Sequence, residues 1–451
     1  MLARLILLGF VCLGAVACDD GVARIVFDVR IVDGDNGNPV DGTDADLLRI
    51  GIQEGELPAE ELQFPVTDGS FNAAVEFQSF LSPTRLRVEL SGMSNTLLSA
   101  PPSFVPDETS GFIRMVAAAP SSCEPVSFNL MEARRADFGM VLSGQFALLV
   151  GGTSAEAQLE FFDAIEWDSN TNTLDALNLE LDSLGETRAA SIDATQILVL
   201  PTEGRPFVFD MADSENRITR VDLHRGAGAR SALVSVPGLG AMVIGGEADG
   251  EAQVGVTLVQ PNATLTSLQL TEPRSGPTAA PMGTDVLVVG GNQVGDAEIL
   301  LDGESTGTLV ATLMDGPREG AILAGDGQSR ALLLGGVDET DTLRQDTVEF
   351  TGCPNACVAA TGPTWPTARL EVLLPQDSTL LVGGTDSRLV EEVRWPDDLV
   401  EITPLLELNT ERAGAGAIVL ESGAFVVAGG NDGVSRRDDF EFCVPAELEP
   451  L

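Results

Sequence analysis

Short apolar runs that end in a pair of glycines recur through most of this chain. They read ALLVGG at 147–152, AMVIGG at 241–246, VLVVGG at 286–291, ALLLGG at 331–336, TLLVGG at 379–384 and FVVAGG at 425–430. A seventh copy, QILVLPT at 196–202, keeps the apolar run and lacks the glycines. The residue after each run falls at 151, 201, 245, 290, 335, 383 and 429, giving spacings of 50, 44, 45, 45, 48 and 46. Runs this short, bounded by glycine, predict buried strands and not helices. A period of about 40–50 residues with several strands per unit predicts a β-propeller.

Each unit divides into four predicted strands. The first follows an arginine and is rich in small residues: RAASI from Arg188, RSALV from Arg230, RSGPTAA from Arg274 and RAGAGA from Arg412. Small side chains suit strands crowded around a central axis. The second is the apolar run, where glycine permits positive φ and a tight exit. The third alternates, as in AQLEFFD at 157–163, DTVEF at 346–350 and DDFEF at 438–442. The fourth leads to the next arginine, as in ITRVDL at 218–223 and DLVEITP at 398–404. The glycine pair with an upstream arginine, or Pro-Arg at 273–274 and 317–318, resembles the kelch family over residues 121–451. Four strands per unit and seven units predict a seven-bladed propeller, and the resemblance makes it kelch-like. The chain departs from the kelch pattern in having no tyrosine and only Trp167, Trp365 and Trp395.

Residues 18–120 have another texture. Alternating stretches at 23–32, 47–52, 71–77 and 85–90 are separated by Gly, Asn, Asp and Pro clusters. They predict a small antiparallel β-sandwich. The segments VDGDNGNPVDG (32–42), VTDGSF (66–71) and RLRVELSG (85–92) resemble the carboxypeptidase-regulatory or transthyretin-like sandwiches. The fold expected is therefore all-β: a seven-bladed kelch-like β-propeller preceded by a small antiparallel β-sandwich.

The cysteines suggest how the ring closes. The last unit runs out after its third strand, at Phe442-Cys443, so 124–130 (EPVSFNL) is expected to supply its fourth. In the fifth unit Cys353 ends strand three and Cys357 begins strand four. Cys357 precedes Arg369 by 12 residues, and Cys123 precedes Arg135 by the same 12. Disulfides Cys353–Cys357 and Cys123–Cys443 are expected, the second stapling the ring. The C-x₃-C spacing has no further thiol or histidine nearby, so no metal is assigned to it.

Arg4, the apolar stretch 5–16 and the small residues Ala15-Val16-Ala17 form a signal peptide over 1–17. Cys18 follows and resembles the lipidated cysteine of bacterial lipoproteins, although Ala15 stands where that family prefers Leu. Lipidation of Cys18 would leave four cysteines to pair. The expected location is the bacterial cell envelope, held by the lipid alone, with plain secretion as the alternative.

Composition narrows the partners. A formal charge of −44, with 69 acidic residues against 25 basic ones, argues against nucleic acid and anionic lipid surfaces. There is no lysine. The single histidine, His224, reads as a surface or turn residue, too isolated for a triad. No phosphate-binding loop or dinucleotide fingerprint is present. The acidic stretch 33–46 begins like a calcium loop, but Gly37 and Asn38 occupy positions that need an oxygen donor and a turn glycine, so it reads as a solvated loop.

Arg135, Arg188, Arg230, Arg274, Arg318, Arg369 and Arg412 fall at one place in successive units. They read either as structural forks pairing with carboxylates or carbonyls, or as an electropositive binding rim for an anionic ligand. The function expected is a non-catalytic binding or scaffold protein, monomeric and without cofactor, recognising a protein or glycan at the envelope. Two alternatives remain: a hydrolase or lyase using carboxylates at one propeller mouth, and a structural envelope component without a discrete ligand.

Overall fold

The computed structural model describes residues 25–32, 45–67, 73–77, 83–93, 96–100, 112–127, 131, 133–143, 146–153, 159–163, 175–177, 184–213, 217–228, 230–291, 296–312, 318–338, 340–370, 372–375, 378–396, 399–420, 422–446 and 448. The signal segment, Cys18 and most of the calcium-like loop, 33–44, lie outside the described residues. Among the described residues the fold is all-β. Its one helical element is the 3-10 turn Pro261–Ala263, and no helix is long and apolar enough to cross a membrane.

Two sheets precede the repeats. One has the order Glu60–Pro65, Ala45–Glu54, Thr84–Gly92, Thr96–Ser99; the other Ala74–Phe77, Ile25–Val32, Phe112–Val116. Alternation sets the register of the first: Leu48, Ile50 and Ile52 stand opposite Leu90, Val88 and Leu86, and all six are buried. Ile31, Val75 and Met115 cover them from the second sheet. The expectation of purely antiparallel pairing needs correcting here, because Ile25–Val32 and Phe112–Val116 run parallel. Phe112–Val116 follows Thr96–Ser99 of the opposite sheet, so no tight hairpin forces it antiparallel.

Among the described residues seven further sheets follow in chain order, five of them four-stranded, the third five-stranded and the sixth three-stranded, with every strand pairing in them antiparallel. Their first strands include Gly139–Ser143, Thr187–Ser191, Ala232–Val236, Thr278–Met282, Glu319–Gly325 and Gly416–Val419. Each of these first strands packs beside that of the next sheet through the fifth sheet, and Gly416–Val419 packs back against Gly139–Ser143. The approach is close. A Cβ on Gly139 would stand 2.7 Å from the Ala189 Cβ, and one on Gly416 would stand 2.7 Å from the Met140 Cβ. This spacing accounts for the small residues after each arginine. The second strands are buried on both faces, as in Val286–Val289.

The sixth sheet has three assigned strands. Leu373 and Val382 exchange both backbone hydrogen bonds, at 3.1 and 2.8 Å, but Pro375 then offers no N–H to continue the ladder.

Ser122–Val126 pairs with Phe440–Val444 as the fourth strand of the last sheet, with Cys123 opposite Cys443. It begins two residues earlier than the expected 124–130, and 128–130 lie outside the described residues. Cys123 and Cys443 are bonded, as are Cys353 and Cys357. The chain entering Ser122 also ties the two parts together. Leu98 and Ala118 exchange backbone hydrogen bonds, and Ala100, Val116 and Ala118 share a core with Phe440, Phe442 and Val444.

Candidate functional site

The recurring arginines can be built up from the glycine pair. In the fourth sheet Gly290 and Gly291 have φ of +71° and +85°. A Cβ on Gly290 would meet the Arg318 carbonyl oxygen at 2.9 Å, so glycine is required twice over, for conformation and for room. The carbonyl oxygen of Gly290 accepts a 2.7 Å hydrogen bond from Nη1 of Arg274. The same fork binds Glu298 at 2.9 Å, and both side chains are fully buried.

This unit of arginine, first glycine and third-strand acid repeats. Arg135 binds Gly151 and Glu160. Arg369 binds Gly383 and Glu391. Arg412 binds Gly429 and Glu441. In these four sheets the acid pairs with the residue two before the first glycine: Leu149 with Glu160, Val288 with Glu298, Leu381 with Glu391, Val427 with Glu441. Further donors occupy the acids' other lone pairs, as a buried ion pair demands. Thr271 N–H donates to Glu298 at 2.6 Å, Asn409 N–H to Glu441 at 2.6 Å, and the Trp365 indole to Glu391 at 2.9 Å. In the fifth sheet the register position is Val348, and Arg318 turns to the partly exposed Asp346 instead, at 2.5 Å.

Five of the seven candidate rim residues, Arg135, Arg274, Arg318, Arg369 and Arg412, are therefore buried and each paired with an acid of its own unit. The electropositive rim has to be corrected to the other two. Arg230 is 44 % exposed, has a left-handed φ of 53° and pairs with Glu319 and Glu247. Arg188 donates to the carbonyls of Gly228 and Ser231 and to the Ser231 hydroxyl. Burial pushes its pKa down to about 10, with nearby Glu186 acting in the opposite direction. Where four other sheets place an acid, the second has Phe207.

In the third sheet His224 takes the arginine's place. Its Nε2 lies 2.8 Å from the Gly245 carbonyl oxygen and its Nδ1 3.0 Å from the Thr257 hydroxyl. A carbonyl only accepts, so Nε2 carries the proton and the threonine donates to Nδ1. Thr257 pairs with Val243, two before Gly245, and so stands at the acid's position. Burial holds the His224 pKa below its ordinary value. Gly255 leaves room for the ring: a Cβ there would meet Cδ2 at 2.5 Å. The expected surface histidine is instead an interior polar link.

Sequence reasoning identified the arginines and missed Glu160, Glu298, Glu391 and Glu441. The signal was available, since LEFF, AEIL, VEEV and FEFC each put glutamate second in a short apolar segment.

The first strands enclose a cavity of about 770 Å³. Small and apolar residues such as Ala189, Ala280, Pro281 and Ala417 line it, with Arg188, Asp326, Glu392 and Arg394 as its charged groups. A second cavity of about 610 Å³ shares Met140, Ser378, Thr379, Glu392, Arg394 and Ala417 with it, so the two adjoin at the sixth sheet. Asp326 Oδ1 accepts the N–H groups of Gln328, Ser329 and Arg330 at 2.8, 2.8 and 2.9 Å. Glu392 holds Arg394 at 2.5 Å.

No protein-family model matches this chain, and no curated protein matches it. One similar solved structure is titled "Structure of YjhT", with 10% sequence identity and a TM-score of 0.43 over 70% of this chain and 97% of that one.

Proposed function

We propose that the seven sheets form a closed, seven-bladed kelch-like propeller carried by the N-terminal sandwich, and that lipid on Cys18 holds the whole at the bacterial cell envelope. The protein acts there as a non-catalytic binding scaffold for a protein or glycan. The return of Ser122–Val126 to the last sheet, and the packing of Gly416–Val419 against Gly139–Ser143, support the closed ring. One further link favours it: Gly430 N–H donates to the Arg135 carbonyl at 2.9 Å, as Gly246 N–H donates to that of Arg274 at 2.8 Å.

The observation that carries the binding reading is the state of the carboxylates in the cavity wall. Asp326 anchors a turn through Oδ1, which accepts three backbone N–H groups, and Glu392 pairs with Arg394. General acid–base catalysis needs a carboxyl free to reach a substrate proton. What the wall presents is shape, small apolar and hydroxyl side chains and the cationic Arg188, which suit recognition.

The test is equilibrium binding of the full mature chain to polysaccharide and membrane-protein fractions of the producing cell's envelope, with the partner's chemical integrity followed in the same samples. Saturable binding of a partner recovered unchanged is expected. A partner consumed by the wild type and spared by Glu392→Gln would replace this reading with a carboxylate enzyme.

A further inference from the structure

Of the recurring arginines, Arg188 is the one that lines the central cavity. Its sheet has lost the rest of the unit. Pro201 and Thr202 stand where other sheets have the glycine pair, and Phe207 where four of them have the acid. Arg135, Arg274, Arg318, Arg369 and Arg412 each meet a carboxylate in their own sheet. Arg188 forms no ion pair among the described residues; its bonds go to neutral oxygens of Gly228 and Ser231. Glu186 acts on this guanidinium through space but makes no ion pair with it, so the charge is met at contact distance by neutral acceptors alone.

Neither of the other carboxylates in the wall, Asp326 or Glu392, forms an ion pair with Arg188. Glu392 is held by Arg394, and Asp326 by its own turn. We propose that Arg188 is an anion-recognition point in the central cavity, and that the ligand it takes is a small organic molecule bearing a carboxylate. A guanidinium has five N–H groups and three are used here, which leaves donors for a carboxylate oxygen, and the surrounding Ala189, Leu233, Ala280 and Pro281 suit an apolar or neutral body attached to it. The net charge of −44 does not forbid this. Exposed carboxylates more than about 8–10 Å away are screened at physiological salt, whereas a desolvated cation inside the ring is not. The inference rests on the reading of this protein as a binding scaffold and names the chemistry that its cavity selects.

Calorimetric titration of the full mature chain with acetate, benzoate and glucuronate, with their uncharged amides, and with inorganic phosphate tests it. The carboxylates are expected to saturate one site, with the amides and phosphate at least tenfold weaker. Arg188→Gln is expected to lose at least tenfold in affinity, Arg188→Lys to lose less, and Arg230→Gln to change nothing. Thermal melts of each variant identify any that fail to fold; if Arg188→Gln is one, Arg188→Lys against wild type carries the comparison. Equal binding by the amides or phosphate, or carboxylate binding indifferent to Arg188, overturns the inference. Loss of the carboxylate site with envelope-partner binding intact removes this inference alone. Chemical conversion of a probe removes the scaffold reading instead.

Discussion

The Nε2 atom of His224 donates to the carbonyl oxygen of Gly245 at 2.8 Å, the bond that an arginine makes to the equivalent glycine in five other sheets. One buried slot is thus filled by a permanent cation in most sheets and by a neutral imidazole in the third. The accompanying acid changes with it, to Thr257.

This exchange makes stability depend on pH in a defined window. The folded pKa of His224 lies below the ordinary 6.5, because burial disfavours the cation. Above 6.5 both states are neutral at this residue and its contribution is complete. As pH falls through that value the unfolded chain takes the proton first, so stability declines until the folded pKa is passed. With one histidine in the chain, the decline has a single imidazole source. Melting temperature measured from about pH 7.5 to about pH 5 should fall more steeply for wild type than for His224→Gln. Parallel curves would remove His224 as the source.

Breaking a buried pair should cost far more than replacing it. Arg274→Gln leaves Glu298 charged in an interior with no cation, a loss of about 3–5 kcal/mol. Arg274→Met with Glu298→Leu removes both charges and should recover most of that loss. Denaturant titration of the two variants provides the comparison, and a double variant as unstable as the single would contradict it.

Two glycines of similar conformation separate strain from crowding. Gly283 has φ of +68° and open space where a Cβ would go, whereas Gly290 at +71° faces the Arg318 carbonyl at 2.9 Å. Gly283→Ala should cost about 1 kcal/mol, the left-handed penalty alone. Gly290→Ala should cost more, because the neighbouring sheet must shift as well, and thermal melts should rank the two in that order.

What the sequence made legible was whatever repeats. Apolar runs with glycine pairs located the second strands, and the arginines marked the entries to the first. The acids stayed hidden because their meaning depends on pairing across a hairpin: Glu298 matters through its place opposite Val288, not through its neighbours in the chain. His224 was misread for a related reason, since a lone residue has no period to flag it. Only the register that puts Thr257 two before Gly245 reveals the slot. The closing strand was anticipated from cysteine spacing, yet its start was placed two residues late, because Ser122 and Cys123 lack the alternation that announces a strand. Arg188 and its empty acid position could not be told from its repeats until Phe207 was seen in the acid's place.

The disulfide between Cys123 and Cys443 spans 320 residues, so it should also stabilise the fold strongly. The chain-entropy model gives about 6 kcal/mol as a ceiling, read as a lowered denaturation midpoint in Cys123→Ser with Cys443→Ser.

The most direct measurement is peptide mapping of the native, unreduced protein by mass spectrometry. A closed ring predicts one cross-linked pair joining the Cys123 peptide to the Cys443 peptide, and an internal bond between Cys353 and Cys357. Cys123 found free, or joined to Cys353 or Cys357, would mean that Ser122–Val126 does not complete the last sheet, and the ring would not close.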